Sequence, residues 1–198
     1  MRVEAHGGYL GRYEDVDVSW LQRLGREALA SEGVEADDCG LLVTVIPGHR
    51  VVRFAFDGPH TYGRQGARWY LNHHALARRL SEHLNQTVSA YCFDPEELEQ
   101  VVSYGNGRRV GGELLKYEDV ELADDEDDDF SFERLKQKWP MGHLARVLGV
   151  ERDTLIRLPR QCSALIDLAV AAQQGPLWHL FPQAMQLTDL HAVAALAR

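Results

Sequence analysis

The sequence predicts an α+β protein: a mostly antiparallel β-β-α-β-β sheet with covering helices, followed by an all-helical C-terminal half. Three observations lead there. Two runs rich in β-branched and aromatic residues, 41–46 and 51–56, flank Pro47-Gly48-His49-Arg50 and read as a hairpin. Gly105-Asn106-Gly107 lies between two further strand-like runs and supplies the positive φ angles of a second hairpin turn. From Phe130 onward the pattern is helical, and the prolines fall between periodic segments.

In chain order, Val18, Leu21, Leu24, Ala28 and Leu29 keep helical spacing, so residues 18–31 predict a helix that Gly33 stops. The first hairpin follows and ends at Asp57-Gly58-Pro59-His60. A loop rich in glycine and arginine, 61–68, leads to a helix over about 69–85. There Trp69, His73, Leu76, Leu80 and Leu84 share one face, and Arg78, Arg79 and Glu82 point elsewhere. Residues 87–94 alternate Val88, Ala90 and Cys92 against Ser89, Tyr91 and Phe93. Strands over 98–104 and 108–115 complete the second hairpin. The connections between strands are short, so helices on one face of an antiparallel sheet are the economical arrangement. Helices are then expected over 130–139, 141–149, 153–158, 162–173 and 188–198, bounded by Pro140, Pro159, Pro176 and Pro182. The predicted organisation is an α+β domain over 1–122, an acidic linker or loop over 123–129 and a helical region over 130–198, with one continuous core left open as an alternative.

With 198 residues and 45% hydrophobic composition, the chain is long enough to bury a core without staples. No stretch approaches the roughly 20 apolar residues of a membrane helix, so no membrane association is expected. The opening residues, with Glu4, Gly7 and Gly8, lack the basic end and apolar core of a signal peptide. Cys39, Cys92 and Cys162 are an odd number, far apart and without a C-x-x-C pair, which fits a reducing cytoplasm.

The formal net charge of −9 is local. Residues 113–129 hold ten acids (Glu113, Glu118, Asp119, Glu121, Asp124, Asp125, Glu126, Asp127, Asp128 and Asp129) and one base, Lys116, so the rest of the chain is neutral. Residues 133–160 reverse the sign, with seven bases against three acids. The acidic run reads either as a solvated loop or as a surface for a basic protein partner, with association speeded by electrostatic steering. A divalent-cation loop is the third reading, and it lacks the glycine that turns an EF-hand.

Leu144-Ala145-Arg146-Val147-Leu148-Gly149-Val150-Glu151-Arg152-Asp153-Thr154-Leu155 resembles the core of a helix-turn-helix, with Ala145 allowing close approach, Gly149 turning and Leu155 packing. If this pair read DNA, Arg152, Thr154 and Arg157 would lie nearest a groove. A pair used only for packing is the competing reading. The nine histidines include no H-E-x-x-H, so neither a metal site nor a cofactor is expected; His73 reads as a half-buried structural histidine. Cys92 and Cys162 read as small core residues, and no G-x-S-x-G, P-loop or G-x-G-x-x-G context is present, so no catalytic residue is assigned. In the loop before residue 70, Tyr62, Arg64, Arg68 and Trp69 could contact a partner or fold back onto the sheet.

The expectation is a non-enzymatic cytoplasmic protein-binding module, of the immunity or inhibitor type, that meets a basic partner. Its contact residues would be Glu118, Asp119, Glu121, Asp124, Asp125, Glu126, Asp127, Asp128 and Asp129, with Tyr62, Arg64, Arg68 and Trp69. A transcriptional regulator, with nucleic acid as its partner, and an enzyme whose site assembles only in space are the alternatives.

Overall fold

The computed structural model describes residues 5–12, 18–37, 39–46, 48–58, 61, 65–120, 129–157, 164–169 and 178–180. Their strands are β1 (His6–Arg12), β2 (Gly40–Ile46), β3 (Val51–Asp57), β4 (Val88–Asp94), β5 (Leu98–Gly105), β6 (Arg108–Lys116), β7 (Ala164–Asp167) and β8 (Trp178–Leu180). The helices are α1 (Val18–Ser31), α2 (Ala75–Leu84), α3 (Asp129–Lys136), α4 (Pro140–Leu148) and α5 (Arg152–Ile156), with 3₁₀ segments at Gly66–Leu71 and Tyr117–Asp119.

The strands form one sheet in the order β6-β5-β4-β1-β3-β2-β7-β8, and every pairing is antiparallel. Strand alternation sorts the residues onto two faces. Tyr9, Val43, Phe54, Phe56, Val88, Ala90 and Cys92 pack with Leu21, Leu29, Trp69, Leu76 and Leu80 from α1, the first 3₁₀ segment and α2. On the opposite face Leu10, Val51, Tyr91, Phe93 and Val101 pack with Met141, Leu144, Leu148 and Leu155 from α4 and α5. Helices thus cover both faces of the sheet, where the sequence predicted one. Residues from either side of the acidic run contribute to the second cluster.

The all-helical C-terminal half is overturned by β7 and β8, which fall beyond residue 160 and join the sheet. Residues 162–173 were expected to be helical, yet 164–167 pair with β2. The edge of β2 needs hydrogen-bond partners, and a strand there satisfies a row of backbone groups that a helix would leave open. The site is prepared for it. The bare Gly40 admits Leu165, whose Cδ1 lies 2.5 Å from where a Cβ would stand, and Gln22 Nε2 of α1 donates to Asp167 O at 2.8 Å. The backbone N–H of Leu168 donates to Cys39 O at 3.0 Å. The helix expected over 188–198 lies outside the described residues.

Two local departures have equally concrete causes. The leading helix is preceded by a strand, β1, whose glycines hid it; a Cβ on Gly8 would stand 2.6 Å from Phe54 O, so the close strand spacing demands glycine. The single helix over 69–85 divides into the 3₁₀ segment and α2. Trp69 and Tyr70 are both buried, Phe56 N donates to Tyr70 Oη at 2.7 Å, and Tyr9 Oη donates to His73 O at 2.9 Å. Those anchors fix the chain between the two pieces. The Asn106-Gly107 turn has φ of 49° and 72°, as the second hairpin requires.

Candidate functional site

β6 forms one end of the sheet, and no described strand pairs with its outer side. Its side chains are exposed along its whole length apart from half-buried Leu115. Val110 and Leu114 remain 62% and 55% accessible, large values for apolar residues. A register shift at Ser103/Tyr104 leaves Val110 as the extra residue of a bulge, and from Gly111 to Lys116 the strand runs in regular register with β5.

Beside this edge, on the second face, a cleft of about 300 Å³ opens between the sheet and α4. Val101, Leu144, Val147 and Leu148 give it apolar walls, and Ser89 and Ser103 lie on its floor with their hydroxyls 2.8 Å apart. At the mouth, His143 Nδ1 stands 3.1 Å from Glu113 Oε1. Gly111 and Gly112 form the rim on β6; space is open where a Gly111 side chain would stand, while the Arg109 guanidinium lies against Gly112 and its Nε donates to Gly111 O at 3.4 Å. Arg12 also lines the cleft and donates to Val147 O at 3.3 Å.

The position of α4 follows from Glu99. This buried carboxylate accepts from Met141 N at 2.9 Å, from Tyr117 Oη at 3.2 Å and from the Arg152 guanidinium. Burial, with the Glu99 charge adding to it, pushes the Tyr117 phenol above its ordinary range. Pro140 occupies the first turn of α4, where its missing N–H costs nothing, and Gly149 ends the helix at φ 73°. The neighbouring α5 is held by Arg53, whose Nη2 donates to Leu155 O at 2.6 Å and whose Nη1 donates to Arg157 O at 3.3 Å.

The residues singled out from sequence are dispersed. Glu118 and Asp119 are exposed in the 3₁₀ turn that follows β6. Glu121, Asp124, Asp125, Glu126, Asp127 and Asp128 lie outside the described residues, and Asp129 opens α3. Tyr62 and Arg64 also fall outside. Arg68 is exposed and pairs with Glu97, whereas Trp69 is buried and stacks on His73 with ring centroids 3.5 Å apart. Trp69 therefore serves the core, away from any partner surface. Arg152 is buried against Glu99 and faces the sheet, Thr154 is half-buried, and Arg157 is exposed near Asp153 at 3.7 Å. Among the described residues no group of three His, Cys, Asp or Glu side chains could hold a metal ion.

Sequence reasoning did not single out Val110, Leu114, Val147, Ser103 or the rim glycines. The signal available was the serine pair at matching positions of two otherwise apolar strands, Ser89 opposite Ser103. A second depression, of about 320 Å³ on the first face, gathers Glu32, His74, Arg78 and Tyr104. Compared with known proteins, the chain matches no family, no curated protein and no solved structure.

Proposed function

We propose that the protein is a non-catalytic binding module that engages a basic protein partner through the acidic surface beginning on β6. The observation that supports this reading is the continuity of Glu113, Glu118 and Asp119, all exposed, with an open sheet edge and with the acids at 121–129. Ten acids against one base over 113–129 would raise the encounter rate with a cationic protein and orient it on approach. An inhibitor of a nucleic-acid-binding protein, of the immunity type, is a role such a surface suits. The DNA-reading alternative has less support, because α5 spans five residues and turns Arg152 inward to Glu99.

Affinity capture from the native host at 50 and 300 mM salt tests the reading. The expected partner is basic, is lost at the higher salt, and is lost from a variant with Glu118→Gln, Asp119→Asn and Asp124 to Asp129 neutralised. Capture that is unchanged by neutralisation would overturn it.

A further inference from the structure

We infer that β6 takes up an extended basic segment of the partner as an added strand, and that one apolar side chain of this segment enters the cleft beneath α4. The inference rests on the proposed binding function and gives it a geometry. An edge strand presents unpaired N–H and C=O groups, and an extended peptide satisfies them while its alternate side chains point to either face. Residues of an added strand opposite Gly111 and Glu113 share their face, the face of α4.

The cleft then selects the side chain. Its rim is bare at Gly111, its walls are Val101, Leu144 and Val147, and its volume of about 300 Å³ admits a leucine-sized group. Arg12 lines the same cleft and opposes a cationic side chain there, so the anchor is apolar. Lysines or arginines two positions from the anchor share its face and meet Glu113 at the mouth, and further ones along the segment approach Glu118 and Asp119 beyond the end of β6. The exposed Val110 and Leu114 lie along the same strand and gain cover from the added one.

The probe is acetyl-Lys-Thr-Lys-Thr-Leu-Thr-Lys-Thr-Lys-amide, which keeps its lysines on the face of the central Leu, with a second peptide carrying Ala in place of that Leu. Binding is read by fluorescence anisotropy, and its site by amide hydrogen exchange of the full chain. The expected result is protection confined to residues 108–116 and binding at least tenfold weaker for the Ala peptide. Gly111→Trp is expected to weaken the Leu peptide at least tenfold; no atom lies within 4 Å of a Cβ at Gly111, so the strand itself tolerates the change. Val147→Asp, at an exposed position on the cleft wall, is a second variant with the same expected loss. Equal binding of the two peptides, or protection elsewhere, overturns the inference. So does a concentration-dependent doubling of mass in the free protein that Gly111→Trp abolishes, because the edge would then be occupied by a second copy. Loss of the captured partner on acid neutralisation, with no protection of β6 by the peptide, defeats this inference and leaves the acidic binding surface standing. Protection of β6 with partner capture unaffected by neutralisation defeats the acidic surface and keeps the added strand.

Discussion

The carboxylate of Glu99 on β5 and the guanidinium of Arg152 on α5 form an ion pair that is almost sealed from water, at 0% and 6% accessibility. It joins residues 53 positions apart and ties the short α5 to the sheet. Removing one partner leaves the other as an uncompensated buried charge. Arg152→Met is therefore expected to lower stability by about 3–5 kcal/mol in urea denaturation. The double variant Glu99→Leu/Arg152→Met should lose less than Arg152→Met alone, although Met141 N is then orphaned. A double variant no more stable than Arg152→Met would show that the charge is not the cause.

The centre of the sheet gives a second test. At Gly8 an added methyl would meet Phe54 O on the neighbouring strand, and backbone cannot swing aside as a side-chain tip can. Gly8→Ala is expected to cost about 1–3 kcal/mol, the range for overpacking, measured by thermal and chemical unfolding. Gly111→Ala, in open space on β6, serves as the control and should change stability little.

His74 predicts a pH dependence. Its Nε2 lies 3.1 Å from Tyr70 O and therefore donates, which leaves Nδ1 to accept from Tyr104 Oη at 3.2 Å. Both contacts suit the neutral ring, and burial holds its pKa below the ordinary 6.5. The unfolded chain thus binds a proton first as pH falls. The stability contributed by His74 is complete above pH 6.5, declines as pH drops below that value, and levels off below the folded-state pKa. His74→Gln should flatten this part of the profile between pH 7.5 and 5.5. An unaltered slope in the variant would assign the dependence to other groups.

The Cys92 thiol is expected to be inert. It is buried on the α2 side of the sheet, and burial pushes its pKa up to about 12, with the Asp94 charge adding to the effect. Thiolate is scarce at pH 8, so a pulse of iodoacetamide should leave Cys92 unlabelled in the native protein and label it in urea. Prompt native labelling, located by mass spectrometry, would contradict this.

Where local pattern and tertiary context agree, the sequence was readable. The hairpin of β2 and β3, the strands on either side of Asn106-Gly107, and the helices α1 and α4 all carry periodicity and turn residues that match their final setting. β7 escaped because Leu165 and Ile166 fit helix and strand alike, and only the waiting edge of β2 decides between them. β1 escaped because its glycines, needed for close contact with Phe54 and Tyr91, depress strand propensity. At the candidate site, the acids at 113, 118 and 119 were legible as charge, but the cleft was not. It is made by α4 crossing strands that lie tens of residues earlier, and its position depends on Glu99, one glutamate among many in the sequence.

The place of β1 between β3 and β4 has a consequence for how the chain acquires its shape. β1 precedes both partners in synthesis: β3 can pair with it once residues near 57 have left the ribosome, but its other edge stays open until residues near 94 follow. The pairings that close the sheet around it span 39 to 87 residues, from Arg12↔Val51 to His6↔Phe93, whereas each hairpin can snap shut on its own. Assembly of this fold should therefore be paced by the capture of its earliest strand, a slot filled late by a segment made first.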